Sequence, residues 1–135
     1  MIHHLQLEVD YSFHSIGISC HVKEYKMAWL LNKCMNLKLE YIDPLEIQGK
    51  GGKSAHTLYQ CKDEEQRVQY SLISNRSNSG FLIPEYPQTD FILKIEEAEE
   101  AEFLALKSEI RGMNQVLLVH DIDPVKLKSG VNLVF

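Results

Sequence analysis

Alternation of apolar and polar residues dominates the chain, and two stretches of helical period interrupt it. Leu5, Leu7 and Val9 alternate with Gln6 and Glu8, which predicts a first strand over Ile2 to Val9, buried on one face. The next stretch, YSFHSIGISC, has Gly17 near its middle and reads as a turn-rich approach to a helix. That helix is predicted from His21 to Met35, with Ser19 as N-cap. Met27, Leu30, Leu31 and Cys34 recur at helical spacing and make its main buried stripe. Tyr25, Ala28, Trp29 and Asn32 form a second stripe beside it. Either the helix is buried on more than one side, or Tyr25 and Trp29 sit in an interface.

Leu37, Leu39 and Tyr41 alternate with Lys38 and Glu40 as a second strand, interrupted at Asp43-Pro44 and resumed at Leu45-Glu46-Ile47. Ala55, Thr57, Tyr59 and Cys61 give the less polar register of a third strand. Val68, Tyr70 and Leu72 mark a fourth, across the polar turn KDEEQ, and the set reads as an antiparallel meander. SNRSNSG, from Ser74 to Gly80, is loop by composition, and Pro84 and Pro87 favour turn or extended backbone after it. Phe91, Ile92, Leu93 and Ile95 form a fifth strand.

A second helix is predicted over Glu97 to Arg111. Glu97, Glu99, Glu100 and Glu102 crowd its start, Lys107 and Arg111 lie near its end, and Gly112 can stop it, which is the charge order the helix dipole favours. Phe103, Leu106 and Ile110 are its inward stripe. QVLLV, from Gln115 to Val119, is apolar on both faces and suits a central strand. DIDPVKLKSG reads as a turn with one short helical turn, and VNLVF as a short strand or a docked tail. The order predicts an α+β fold over residues 1–135, a largely antiparallel sheet of about five to seven strands carrying two main helices.

The chain's 135 residues suffice for one domain with a core that needs no disulfides. Cys20, Cys34 and Cys61 are odd in number and widely spaced, so free and mostly buried thiols are expected. MIHHLQLEVDYSF has no basic start followed by an apolar block, and no window reaches the ~18 apolar residues of a membrane span. A cytoplasmic chain away from the membrane is expected. The formal charge is −5 and arginine occurs only at Arg67, Arg76 and Arg111, so nucleic acid is not an expected partner.

The chemistry on offer is sparse. IQGKGGKSAH contains Gly-Lys-Ser, but a phosphate-binding loop would need glycine where Ile47 stands and a helix where AHTLYQC alternates like a strand. No nucleotide or other cofactor is expected. His3 and His4 are adjacent, as are Cys20 and His21, and no Cys-x-x-Cys or His-Glu-x-x-His spacing occurs, so no metal site is expected. There is no Gly-x-Ser-x-Gly elbow, and no catalytic residue is assigned. The one suggestive stretch is SNRSNSGFLIPEYPQTDFILKI. Arg76 has a planar fork suited to a carboxylate, and Glu85 and Asp90 follow on a proline-stiffened turn. Asn75, Arg76, Glu85 and Asp90 form either a structural staple or a binding site.

IPEYPQTDF, with Ile83, Pro84, Glu85, Asp90 and Phe91, resembles the signature of the IPExxxVDY family of small bacterial proteins. Thr89 stands in place of the signature valine and Phe91 in place of its tyrosine. AWLLNK, LISNR and the closing NLVF are similar to other family features. The resemblance implies membership without implying an activity. Two functions follow from the sequence. One is a cytoplasmic binding or protein-interaction module without catalytic activity, for which a homodimer is one form. The other is a small enzyme or ligand-binding domain with its site around residues 74–90.

Overall fold

The computed structural model describes residues 10–49, 51–65 and 67–135, so the strand expected over Ile2 to Val9 lies outside the described residues. Six strands form one antiparallel sheet: β1 His14–Cys20, β2 Glu40–Gly49, β3 Gly52–Asp63, β4 Val68–Ser74, β7 Phe91–Glu96 and β8 Val116–Asp121. They lie in the order β2-β3-β4-β7-β1-β8. A two-stranded hairpin of β5 Arg76–Ser77 and β6 Gly80–Phe81 stands apart from it. The helices are α1 Glu24–Met35 and α2 Glu100–Arg111. This is the expected α+β architecture.

Both helices cover one face of the sheet. Register places Tyr41, Tyr59, Leu72, Leu93 and Ile16 in one cross-strand row. The inner part of that row joins Met27, Ala28 and Leu31 of α1 and Phe103 and Ile110 of α2 in the larger apolar cluster. On the opposite face, Leu58, Ile73 and Ile92 are covered by Leu82 and Ile83 and by Ile122 and Leu133 of the C-terminal segment, without a helix longer than one turn. The last residues are thus a docked tail. Next to this second cluster runs a polar row, Gln60, Ser71, Lys94 and Ser15. Lys94 is only 2% exposed, lies 3.9 Å from Glu96 and has the rings of Phe13 and Phe135 over its ammonium group. Burial pushes its pKa down.

Several expectations need correction. YSFHSIGISC has no turn at Gly17: its last seven residues, His14–Cys20, are β1, mostly buried and paired on both sides, and only Tyr11 to Phe13 lie ahead of the strand. Gly17 serves a close approach, because a Cβ there would lie 2.3 Å from Nε2 of His120. Ser19 lies in this strand and donates to the Gln88 carbonyl, so it caps nothing, and α1 starts later with Lys23 as an N-cap that makes no side-chain hydrogen bond. Cys34 and Trp29 are exposed, whereas Ala28 is buried; the apolar stripe of α1 is narrower than its sequence suggests. Of the three thiols only Cys20 is fully buried.

The interruption expected at Asp43-Pro44 is a bulge within one long strand, where the β2–β3 register shifts between Ile42 and Leu45. In the outer half of β3 the buried positions are Ser54, His56 and Leu58, the register opposite to that expected. QVLLV is not central: in the described sheet β8 lies at an edge, with Leu117 and Leu118 more than half exposed. Helix α2 begins at Glu100, because Glu97 has φ 68° and cannot belong to it.

Candidate functional site

Strand β4 delivers the chain to Asn75, and β7 collects it again at Phe91. Between them the backbone folds around one fully buried side chain. The Asn75 amide Nδ2 donates to the carbonyls of Tyr86, at 3.0 Å, and Thr89, at 2.9 Å, while Oδ1 accepts the Ile83 N–H at 2.7 Å. Its backbone N–H donates to Asp90 O and its carbonyl accepts from Leu82 N. Asparagine has two side-chain donors and one carbonyl, and here all of them face inward. Asn75 therefore holds the turn closed and has nothing left for a ligand.

Asp90 ties the same turn to β1. Its Oδ2 accepts the Cys20 N–H at 2.8 Å, and its backbone N–H donates to Ile18 O. Its Oδ1 lies 3.4 Å from Nη2 of Arg76, whose side chain is 55% exposed. The structure thus brings Arg76 together with Asp90. Glu85 goes elsewhere: its carboxylate accepts from both the backbone N–H and the hydroxyl of Ser129 on the C-terminal segment. Burial alone would raise the Glu85 pKa, but hydrogen bonds from the Ser129 hydroxyl and from the backbone at Glu85, Ser129 and Lys128 together hold the group below its ordinary value. Thr89 is buried and shares a 2.8 Å hydrogen bond with Nε2 of His120, whose ring lies over Gly17 and 4.6 Å from that of Tyr86. Every residue from Asn75 to Asp90 that looked like a ligand contact, apart from Arg76, is engaged in folding this turn.

Arg76 and Asp90 also line a surface depression of about 420 Å³. Val22, Lys23, Glu24 and Tyr25, at the start of α1, line it as well, together with Tyr59, Ser74 and Phe91. One residue of the expected interface, Tyr25, therefore lines the same concavity as Arg76 and Asp90, whereas Trp29, Asn75 and Glu85 do not line it. Tyr59 was not among the candidates, because its place in an alternating strand marks it as core. It does pack on the core cluster, but its ring also meets Tyr41 edge-on at 5.7 Å. Tyr25, Tyr41 and Trp29 are 67%, 58% and 50% exposed. Trp29 lies one helical turn beyond Tyr25. Its ring has the ammonium groups of Lys26 and Lys33 each 4.9 Å from the centroid.

A second polar arrangement occurs on β3. Ser54 Oγ lies 2.8 Å from Nε2 of His56, and Nδ1 lies 2.9 Å from the Ser74 carbonyl. A carbonyl can only accept, so Nδ1 carries the proton and Nε2 accepts from Ser54. Burial pushes the His56 pKa down, in keeping with this neutral tautomer. The pair is buried from solvent, and serves as an internal brace between β3 and the end of β4. The Gly-Lys-Ser stretch, Gly52 to Ser54, is itself the start of this strand, where a phosphate loop would lead into a helix. Among the described residues no group of three or more His, Cys, Asp or Glu side chains is arranged to hold a metal ion. No described helix is long and apolar enough to cross a membrane. No protein-family model matches the chain, and no curated protein or solved structure matches it.

Proposed function

We propose that this protein is a cytoplasmic interaction module without catalytic activity, and that its working surface is the depression between Tyr25 and Arg76 with the exposed aromatics beside it. The observation that carries this reading is the convergence of Tyr25, Tyr59 and Arg76 on one concave surface. Tyrosine, tryptophan and arginine are the side chains that most often dominate binding energy at protein interfaces. Membership of the IPExxxVDY family belongs to the same proposal. Its residues Ile83, Glu85, Asp90 and Phe91 build the turn that presents Arg76, through buried packing and the Ser129 and Cys20 contacts.

The test is affinity capture from the native cytoplasm with the wild-type chain and with a Tyr25→Ser/Arg76→Ala variant, followed by mass spectrometry of proteins and small molecules. A protein retained by the wild type and lost by an equally stable variant supports the module. The ion pair at the concavity favours a second reading, a ligand-binding domain for a small carboxylate: Arg76 has one 3.4 Å contact and a largely exposed guanidinium. A small acid that co-purifies in place of a protein would favour it. A homodimer through the Tyr25–Trp29 face would be seen as a mass of two chains at equilibrium.

A further inference from the structure

We propose that the outer face of α1 docks an acidic segment of another protein, with carboxylates on Lys26, Lys33 and Arg76 and an apolar side chain against Trp29. This rests on the interaction-module reading and names the partner's chemistry. The chain as a whole carries a formal charge of −5, yet residues 23–33 hold three lysines and a single glutamate. Two of those lysines are gathered at the Trp29 ring, and Arg76 lines the same depression as Tyr25, beside Lys23, Glu24 and Asp90. A positive, aromatic surface steers acidic partners toward itself.

A second copy bound through α1 alone is a poor occupant, because a face-to-face pairing of α1 with α1 would set Lys26 and Lys33 against the lysines of the other copy. The acidic start of α2, with Glu99, Glu100 and Glu102, is complementary in charge, and a twofold axis would let α1 and α2 of one copy meet α2 and α1 of the other. A mass of two chains at equilibrium that is lost in Lys26→Glu/Lys33→Glu would assign the surface to that dimer and overturn the acidic partner.

Trp29 is the only tryptophan in the chain, so its emission reports on this face alone. The probe is an acetylated and amidated hexapeptide of four glutamates and two leucines; its control carries lysines in place of the glutamates. We expect a saturable change in Trp29 emission with the acidic peptide and none with the control. Lys26→Glu/Lys33→Glu should weaken binding about tenfold or more, and Lys26→Ser/Lys33→Ser by less, with the melting temperature unchanged, as expected of exposed charges. Affinity should fall as ionic strength rises past ~0.15 M, where charges more than about 8 Å apart are screened. Absence of saturable binding, or equal affinity in the charge-reversed variant, overturns the proposal. So does stronger binding to phosphatidylserine vesicles or duplex DNA than to the peptide, or an emission change that tracks protein concentration alone. If the peptide fails while capture still depends on Tyr25 and Arg76, only the acidic partner falls. If capture fails as well, the interaction module falls with it.

Discussion

The turn from Asn75 to Asp90 and the outer face of α1 divide the molecule's surface chemistry in opposite ways. The turn is rich in polar groups, and Asn75, Thr89 and Asp90 are spent on one another or on neighbouring strands, while Arg76, Asn78, Ser79 and Gln88 stay exposed. The helix face is rich in large apolar and cationic groups, and they point outward. A buried polar group must find partners or cost stability, so a dense polar turn consumes its own chemistry. An exposed aromatic has no such obligation inside the fold, and its contact surface stays available. In this protein the polar motif is architecture and the apolar surface is the better candidate for function.

That contrast can be broken by mutation, starting at the turn. Asn75→Ala should be the most damaging change, because it strands the Ile83 N–H and the Tyr86 and Thr89 carbonyls; we expect a loss of about 3 kcal/mol or more in urea denaturation. A loss under about 1 kcal/mol would mean that the turn is not held from within. Gly17→Ala forces the His120 ring away from β1 and so strains its bond to Thr89, with an expected cost of about 1–3 kcal/mol. Combining it with His120→Ala should cost less than the sum of the two, since the clash is already gone.

His56 gives a prediction in pH. Its folded pKa lies below its ordinary value of 6.5 because burial disfavours the charged ring. The unfolded chain therefore binds a proton that the fold resists. The contribution is fully present above about pH 6.5 and is lost as pH falls through that value toward the lower folded pKa. Chemical denaturation across this range should show stability declining toward acid, with a flatter slope in His56→Gln; equal slopes would mean that the brace is not titration-sensitive.

The weaker effects belong to exposed groups. A double-mutant cycle on Arg76→Ala and Asp90→Ala should give a coupling below about 1 kcal/mol, because the pair is exposed on the arginine side. Asp90→Ala alone should cost more than Arg76→Ala, since it also removes the acceptor of the Cys20 N–H. Last, Tyr25→Ser and Trp29→Ser should change stability by about 0.5 kcal/mol or less, and iodide should quench Trp29 readily. Strong protection of Trp29 in dilute solution would erase the contrast between the two regions.

Much of the sheet was legible in the sequence, and the reasons are local. β4 follows from alternation, β7 from its apolar run, an irregularity in β2 from Pro44, and the stop of α2 from Gly112. What failed were the cases where a tertiary neighbour sets the meaning of a residue. Gly17 reads as a turn until His120 is known to lie over it. Trp29 reads either as buried or as part of an interface, because hydrophobicity is local information; its exposure in the single chain, which depends on how much of α1 the sheet can cover, removes the first of these. In the outer half of β3, satisfied hydrogen bonds let Ser54 and His56 take the interior in place of the more apolar register. The candidate site was half legible: Tyr25, Arg76 and Asp90 were singled out, but their meeting at Tyr59 depends on how the strands are ordered.

The bulge at Asp43-Pro44 has a consequence for how the molecule behaves in a crowd. β2 lies at an edge of the described sheet, ten residues long, with Ile42, Leu45 and Ile47 along one face. Left straight, such an edge is a template on which strands from other chains can add without limit. Proline has no N–H to offer a newcomer, and the register shift at the bulge misaligns every rung beyond it. Glu40, Asp43 and Glu46 would meet their own kind in a stacked array. Pro44 thus acts as a guard against fibril growth, and a Pro44→Val chain should aggregate at concentrations where the wild type stays clear.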